Sequence, residues 1–388
     1  MVKEKIEFNV EILIWAIEES GLTPDKIAKK LGTKEEKIEK WLKKEDFPTY
    51  KQLRKLSDIL NIPFGYFFLK KIPIREKLEI PDFRQAKDSI PLTRNFYEIY
   101  YDVKRKHDWI KLKREKEEFT ALGFVGKYTT NNNPKEVATD IKNILSITEK
   151  DLEKPPNELL LNLIEKAEKK GIIVIKNSIL INNNHIKLDP NEFRGFVIVD
   201  KLAPVIFING ADSIKAQIFT LFHELAHIWL GQSGISDVNL ENTNYIEKLC
   251  NQVAVEILMP EEKVKKLWDS SIEPYENIKK LSRTLPVSKL ALSYRGVNLG
   301  LITLNTQKEI EKILKEEWLT EKKEEKKGAG GDYYKTVPIR NSKTFTSEVL
   351  SSLQSGELLY KEAAQLLNVK VKSLKKMLEN LRGLEVVE

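Results

Sequence analysis

The sequence predicts a multi-domain protein: an all-α N-terminal unit of helix-turn-helix type, an α+β domain in the middle, and a small all-α unit at the C-terminal end. Three observations carry this. The chain has 388 residues, too many for one ordinary compact core. Residues 8–69 and 343–383 show apolar residues at helical spacing, with capping and stop signals between them. Between 171 and 209, short β-branched runs bounded by turn residues interrupt that pattern and read as strands.

In the N-terminal unit, Gly21 closes a first apolar-periodic segment. Thr23 and Pro24 then supply an N-cap and a proline at the first helical position. The second helix carries Ile27, Ala28 and Leu31 and stops at Gly32, and Thr33 is placed to cap a third helix with Ile38, Trp41 and Leu42 on one side. FPT at 47–49 stops that helix, and Leu53, Leu56 and Leu60 mark a fourth. The unit spans 1–72, and a mainly helical connector fills 73–155. Within the connector, IPDFR at 80–84 reads as an extended stretch, KRKHDWIKLKREKEE as a helix with a solvated charged face, and TTNNNP at 129–134 as a loop. The α+β domain covers 156–320, with strands GIIVI, GFVIVD and PVIFIN followed by helices. KKEEKKGAGGD marks a flexible linker at 321–332, and residues 333–388 form a last unit that reads as helix, turn around Leu367 and Asn368, and helix.

Bulk properties narrow the function. The net charge of +7, from 65 basic against 58 acidic residues, permits nucleic-acid binding without demanding it. A single cysteine excludes an internal disulfide framework and suits a reducing cytoplasm. Acids interrupt the apolar residues of MVKEKIEFNVEILIW, so it does not read as a signal peptide, and no apolar run reaches the roughly 18 residues of a membrane span. A cytoplasmic protein with no membrane partner is expected.

The chemistry concentrates in LFHELAHIWL at 221–230. A four-residue step on a helix turns a side chain only about 40° past a full turn, so His223 and His227 project from one face and can share an ion. Glu224 is placed to take a proton from a water on that ion, the division of labour of an HExxH hydrolase. Hydrolytic zinc takes three protein ligands and keeps one position open. The following helix, YIEKLCNQVAVEILMP, offers Glu247, Cys250 and Glu256. Glu256 falls opposite Glu247 on the wheel and reads as solvent-facing or salt-bridged, so Glu247 is the expected third ligand. Cys250 remains a rival, since thiolate binds zinc well, but also fits as a small apolar filler. Asn251, one turn beyond Glu247, is placed to orient a ligand by hydrogen bonding. Arg295 is a candidate for stabilising an oxyanion, or alternatively an anchor for a helix end. His107 and His185 read as surface residues. A His, His, Glu set favours Zn2+ over manganese, and the substrate is then an amide. PVIFIN, just before the catalytic helix, reads either as an edge where a peptide adds as a strand or as an internal strand.

These residues resemble the ImmA/IrrE family of metallopeptidases fused to an N-terminal XRE-type helix-turn-helix. The resemblance rests on FTLFHELAHIWLG at 219–231, on the spaced pattern from Glu247 to Pro260, and on LPVSKLALSYRGVNLGLI at 285–302. At the front, GLTPDKIAKKLGTKEEKIEKWLKKEDFPT is similar to the XRE domain, and IPDFR to the connector of such fusions. It implies a zincin-like fold and zinc held by His223, His227 and Glu247. It also implies a protein substrate, an XRE-type repressor or antitoxin, cut to control transcription in a stress, mobile-element or toxin–antitoxin setting, with a toxin as a further partner. The chain departs from the family in Cys250, where alanine is usual, and Val253, where phenylalanine is usual. Both stay small or apolar, so packing changes more than chemistry.

For DNA, the resemblance puts the start of the third helix in the major groove, where Thr33, Lys34, Lys37 and Lys40 are the expected contacts. Glu35 and Glu36 lie there too and repel phosphate, so the module is expected to bind weakly or to need a homodimer. The rival reading from another class is a repressor or antitoxin whose zincin domain is a non-catalytic sensor or partner-binding scaffold.

Overall fold

The computed structural model describes residues 5–20, 22–60, 62–73, 78–83, 92–236, 244–321 and 333–385. Gly21, Arg75 and the expected linker from 322 onward lie outside them. The chain divides into two compact units, one formed by residues 1–79 and 91–98 and one by 80–90 and 99–388.

The first unit holds α1 (Val10–Ser20), α2 (Pro24–Leu31), α3 (Glu35–Leu42) and α4 (Tyr50–Ile59), then a 3-10 turn at Phe64–Phe68. Each helix is short and amphipathic, so its stability comes from one shared core. That core gathers Ile12, Leu13, Ile27, Ile38, Trp41, Leu53, Leu56 and Phe67, all fully buried. Two sequence expectations shift by a few residues. The N-cap of α3 is Lys34 rather than Thr33, because Gly32 already takes the left-handed conformation (φ 77°) that ends α2. The helix α3 ends at Leu42, before FPT, as Lys44 turns to φ 61°. Thr49 then starts α4 with a capping box shared with Gln52.

The second unit takes the long helix α5 (Arg94–Lys116) from Ile99 onward, followed by α6 (Pro134–Ile144), α7 (Glu149–Leu152) and α8 (Pro156–Lys169). Strands β1 (Ile173–Asn177), β2 (Ile179–Leu180), β3 (Asn183–Lys187), β4 (Gly195–Ile198) and β5 (Val205–Asn209) come next. The chain continues through α9 (Ile214–Leu230), β6 (Gly234–Ser236) and α10 (Tyr245–Leu258). The four-stranded sheet has the order β1-β5-β4-β6, with β1 parallel to β5 and the other pairs antiparallel, while β2 and β3 form a small hairpin. PVIFIN is therefore an interior strand, paired on both sides, and the reading of it as a free edge is corrected. Every residue of β4 and β5 is buried, as a continuous β-branched and aromatic run requires.

Four further helices complete the central part: α11 (Glu261–Leu267), α12 (Pro274–Thr284), α13 (Lys289–Asn298) and α14 (Leu304–Glu321). The tail forms α15 (Tyr333–Asn341), α16 (Lys343–Gln354), α17 (Tyr360–Leu366) and α18 (Val371–Glu385), with Asn368 in the left-handed turn between the last two. These helices do not stand apart. Trp109 of α5 meets Phe345 edge-on at 5.6 Å, and Asn368 donates to both carboxylate oxygens of Asp102 at 2.8 and 2.9 Å.

The charged helix also departs from expectation. Arg114 is buried and donates to the carbonyls of Gly171 and Leu202 at 2.8 and 2.6 Å, while buried Lys106 pairs with Asp102 at 2.5 Å. His107, expected at the surface, is buried beside Asp108. A charge run is a solvated face only when no carboxylate or carbonyl waits beneath it, and here Asp102 of the same helix and the carbonyls of Gly171 and Leu202 do.

Trp229 joins the layers at the end of α9: its ring stacks on Phe124 at 4.5 Å and its indole N–H donates to Asp140 at 2.9 Å. Trp229→Ala is expected to destabilise the unit by about 3–5 kcal/mol, read as a lower urea midpoint at unchanged slope.

Candidate metal centre

The helix α9 is apolar on nearly every side and is buried from Gln217 to Leu230. Ser213 caps its start by accepting from the Ala216 amide, and Gly231 ends it in the left-handed conformation at φ 69°. Its 3.6-residue repeat brings Thr220, Glu224 and His227 to one side, with His223 beside them. Asn244 caps α10 by accepting from the amides of Ile246 and Glu247, which fixes the first turn where Glu247 sits. The two helices pack together, and the site lies in their seam beside β4 and β6.

There His223 Nε2 lies 3.1 Å from Glu247 Oε2, His227 Nε2 lies 3.0 Å from Glu247 Oε1, and the two Nε2 atoms are 3.1 Å apart. All three side chains are fully buried. Ligands at about 2.1 Å on tetrahedral corners stand about 3.4 Å from one another, so this trio is spaced as three corners around a small divalent ion. Its chemistry fits as well. The Nδ1 of His223 lies 2.9 Å from Asn251 Oδ1, an acceptor, so Nδ1 carries the proton and Nε2 presents its lone pair to the shared point. A zinc-type donor set of two imidazoles and one carboxylate is thus in place.

Burial and the mutual contacts of the trio set its electrostatics. Burial disfavours charge on His223, but Glu247 outweighs it and raises the His223 pKa; at His227 burial prevails and lowers it. Burial likewise works against the Glu247 anion, yet the two histidines hold its pKa down to about 2. Glu224, also fully buried, goes the other way: burial pushes its carboxyl up to about 8, with His223 opposing and Glu247 adding to the rise. Its seat depends on Gly195 of β4, where a Cβ would stand 2.9 Å from Glu224 Oε1 and 2.6 Å from Thr220 Cγ2.

Of the other residues singled out from the sequence, Cys250 lies in the apolar core with its thiol pKa pushed up by burial, outside the three-residue cluster. Glu256 and Arg295 pair at 2.8 Å, and Arg295 also donates to the Met259 carbonyl at 3.1 Å. Arg295 therefore anchors the end of α10, the alternative that its sequence position also offered. His185 is exposed on β3. In the first unit, Lys34 and Lys40 are exposed, Thr33 is half-buried, and Lys37 reaches over the Trp41 ring at 5.8 Å. The sequence reading missed Gly195, Ser236 and Phe83. The hydroxyl of Ser236 stands 3.2 Å from His223 Nε2, and the Phe83 ring stacks on His227 at 5.9 Å and 10°.

Comparison with known families gives two matches. Residues 167–296 match the family described as IrrE N-terminal-like domain (Peptidase_M78), and residues 341–380 match a domain of unknown function, DUF8813. The first spans the candidate metal centre, supports the ImmA/IrrE part of the resemblance and suggests a zincin-like metallopeptidase that uses a divalent metal. No curated protein and no solved structure matches the chain. Among the described residues, no helix is long and apolar enough to cross a membrane.

Asn251→Ala is expected to weaken zinc binding about ten- to a hundredfold in chelator competition, whereas Cys250→Ala leaves it unchanged. In the same assay the apparent affinity falls as pH is lowered through the imidazole range, because the proton bound by His223 must leave before the metal enters.

Proposed function

We propose that the protein is a zinc-dependent regulatory endopeptidase with an N-terminal DNA-binding module, cleaving a repressor or antitoxin of the XRE type to control transcription. The observation that carries the enzymatic part is the pairing of a complete buried ligand trio with a second carboxylate, Glu224, whose pKa is pushed up to about 8. His223, His227 and Glu247 would hold the ion, which when bound supplies Lewis acidity to a substrate carbonyl and lowers the pKa of water. Glu224 is the residue that takes a proton from the attacking water and returns it to the leaving nitrogen, a task suited to a group poised near neutral pH. Asn251 keeps His223 in the ligating tautomer.

The regulatory part is supported by the α2–turn–α3 arrangement with exposed Lys34 and Lys40, on a chain of net charge +7. Lysines there add a salt-dependent attraction to phosphate, while Glu35 and Glu36 limit it, which favours binding as a homodimer. A toxin partner fits an antitoxin target.

A second reading is favoured by one observation, the complete burial of all three ligand side chains and of Glu224. Such a centre also suits a repressor or antitoxin that uses the metal as a sensor. Glu224→Gln separates the two. For the peptidase, the variant keeps zinc and loses cleavage of co-expressed XRE-type targets by about 10²–10⁴-fold. For the sensor, the wild-type chain cleaves nothing, and both proteins bind operator and partner alike.

A further inference from the structure

The sheet's outer strand beside the metal centre is β6, and it is already paired. Ile235 donates its amide to the Pro81 carbonyl at 3.0 Å and accepts from the Phe83 amide at 3.1 Å, so Asp82 stands opposite Ile235 as a parallel bridge. Ile80 is buried, Pro81 and Asp82 are exposed, and Phe83 is half-buried with its ring against His227. The ring occupies the space over Gly234, where a Cβ would come within 2.3 Å of Phe83 Cδ2. One residue further along β6, Ser236 reaches His223. Among the described residues, the segment therefore crosses the sheet edge beside the candidate ligands, with an aromatic side chain on His227, one of the imidazoles that would hold a metal.

We infer that Ile80–Phe83 is an internal strap that occupies the peptide-accepting edge of β6 and keeps the centre closed, Phe83 filling a seat for an aromatic side chain of an extended protein segment. This rests on the peptidase reading for the purpose of the edge, but the occupancy itself does not. Main-chain pairing to a sheet edge accepts any extended segment, and selectivity then comes from the side-chain seat. Here that seat is a glycine floor and an imidazole wall, shaped for a flat ring. The outer face of the strap lies in solvent at Pro81 and Asp82, and its main-chain pairing to β6 is of the kind that another extended segment can replace. A substrate segment that offers the same two backbone bonds and an aromatic residue competes for the same place. Closure by the strap also accounts for the burial of the four polar side chains in a site that must admit a substrate.

The test uses the full-length, metal-free chain and a labelled peptide of sequence LEIPDF, residues Leu78–Phe83. While the strap is seated, apparent affinity for the peptide falls in proportion to the open fraction, so Phe83→Ala is expected to bind it on the order of tenfold tighter than wild type. The peptide LEIPDA, and the Phe83→Ala, Gly234→Ala double variant, are expected not to bind. In parallel, hydrogen exchange at the Ile235 amide quickens in Phe83→Ala and slows again on adding LEIPDF. Equal peptide binding by wild type and Phe83→Ala, or an Ile235 amide that exchanges at the same rate in both, overturns the strap. Neither readout involves turnover, so the strap stands if the chain binds zinc and cleaves nothing, and falls separately from the peptidase assignment.

Discussion

The second unit is organised around a carboxylate held between two imidazoles where no solvent reaches. A lone buried carboxyl group keeps its proton, since charge in an apolar interior is costly. Glu247 does the opposite and stays ionised, with a pKa near about 2, because both histidine rings face it. Glu224, in the same buried pocket, is pushed to about 8. Two carboxylates at one site are thus driven in opposite directions by their neighbours, the pattern that separates acid and base roles where both are used.

Holding that arrangement sets demands on the rest of the unit. Ligands within a few tenths of an ångström of their positions need rigid support, and α9 provides it by being packed on nearly all sides. The sheet must come close enough to wall off Glu224, which only glycine at 195 allows. Asn251 and Ser236 then fix the outer and inner nitrogens of His223 from two different elements. Arg295 contributes from further away, by tying α13 to the Met259 carbonyl that caps α10 and to the Glu256 carboxylate, and so fixing the helix on which Glu247 and Asn251 ride.

Much of this was legible in the sequence where the signal is periodic. Helical spacing located α9 and α10, and the wheel argument that set Glu256 opposite Glu247 agrees with its ion pair to Arg295. The three long β-branched runs became β1, β5 and β4. What escaped is what depends on distant partners. The strand β6 is three residues, GIS, too short to show alternation, and its place in the sheet comes from pairing with β4. Phe83 lies far from the HExxH helix in sequence, and only the bridge to Ile235 brings it to His227. The edge reading of PVIFIN failed because sequence shows which groups are available but not which are already satisfied. The buried charges of α5 make the same point, since Arg114 pays for its burial with two carbonyls supplied from Gly171 and Leu202.

A final consequence joins stability to function. The seam between α9 and α10 contains both the ligand trio and the apolar contacts of Leu225, Cys250, Val253 and Ala254. The unfolded chain has no comparable site, so the free energy of binding a metal there adds to that of folding the domain. His223, His227 and Glu247 already stand at ligand spacing inside that apolar packing. A preformed trio of this kind separates two events that small zinc domains combine, folding and metal capture. It leaves the occupancy of the edge at β6, rather than the assembly of the site, as the step that governs access to it.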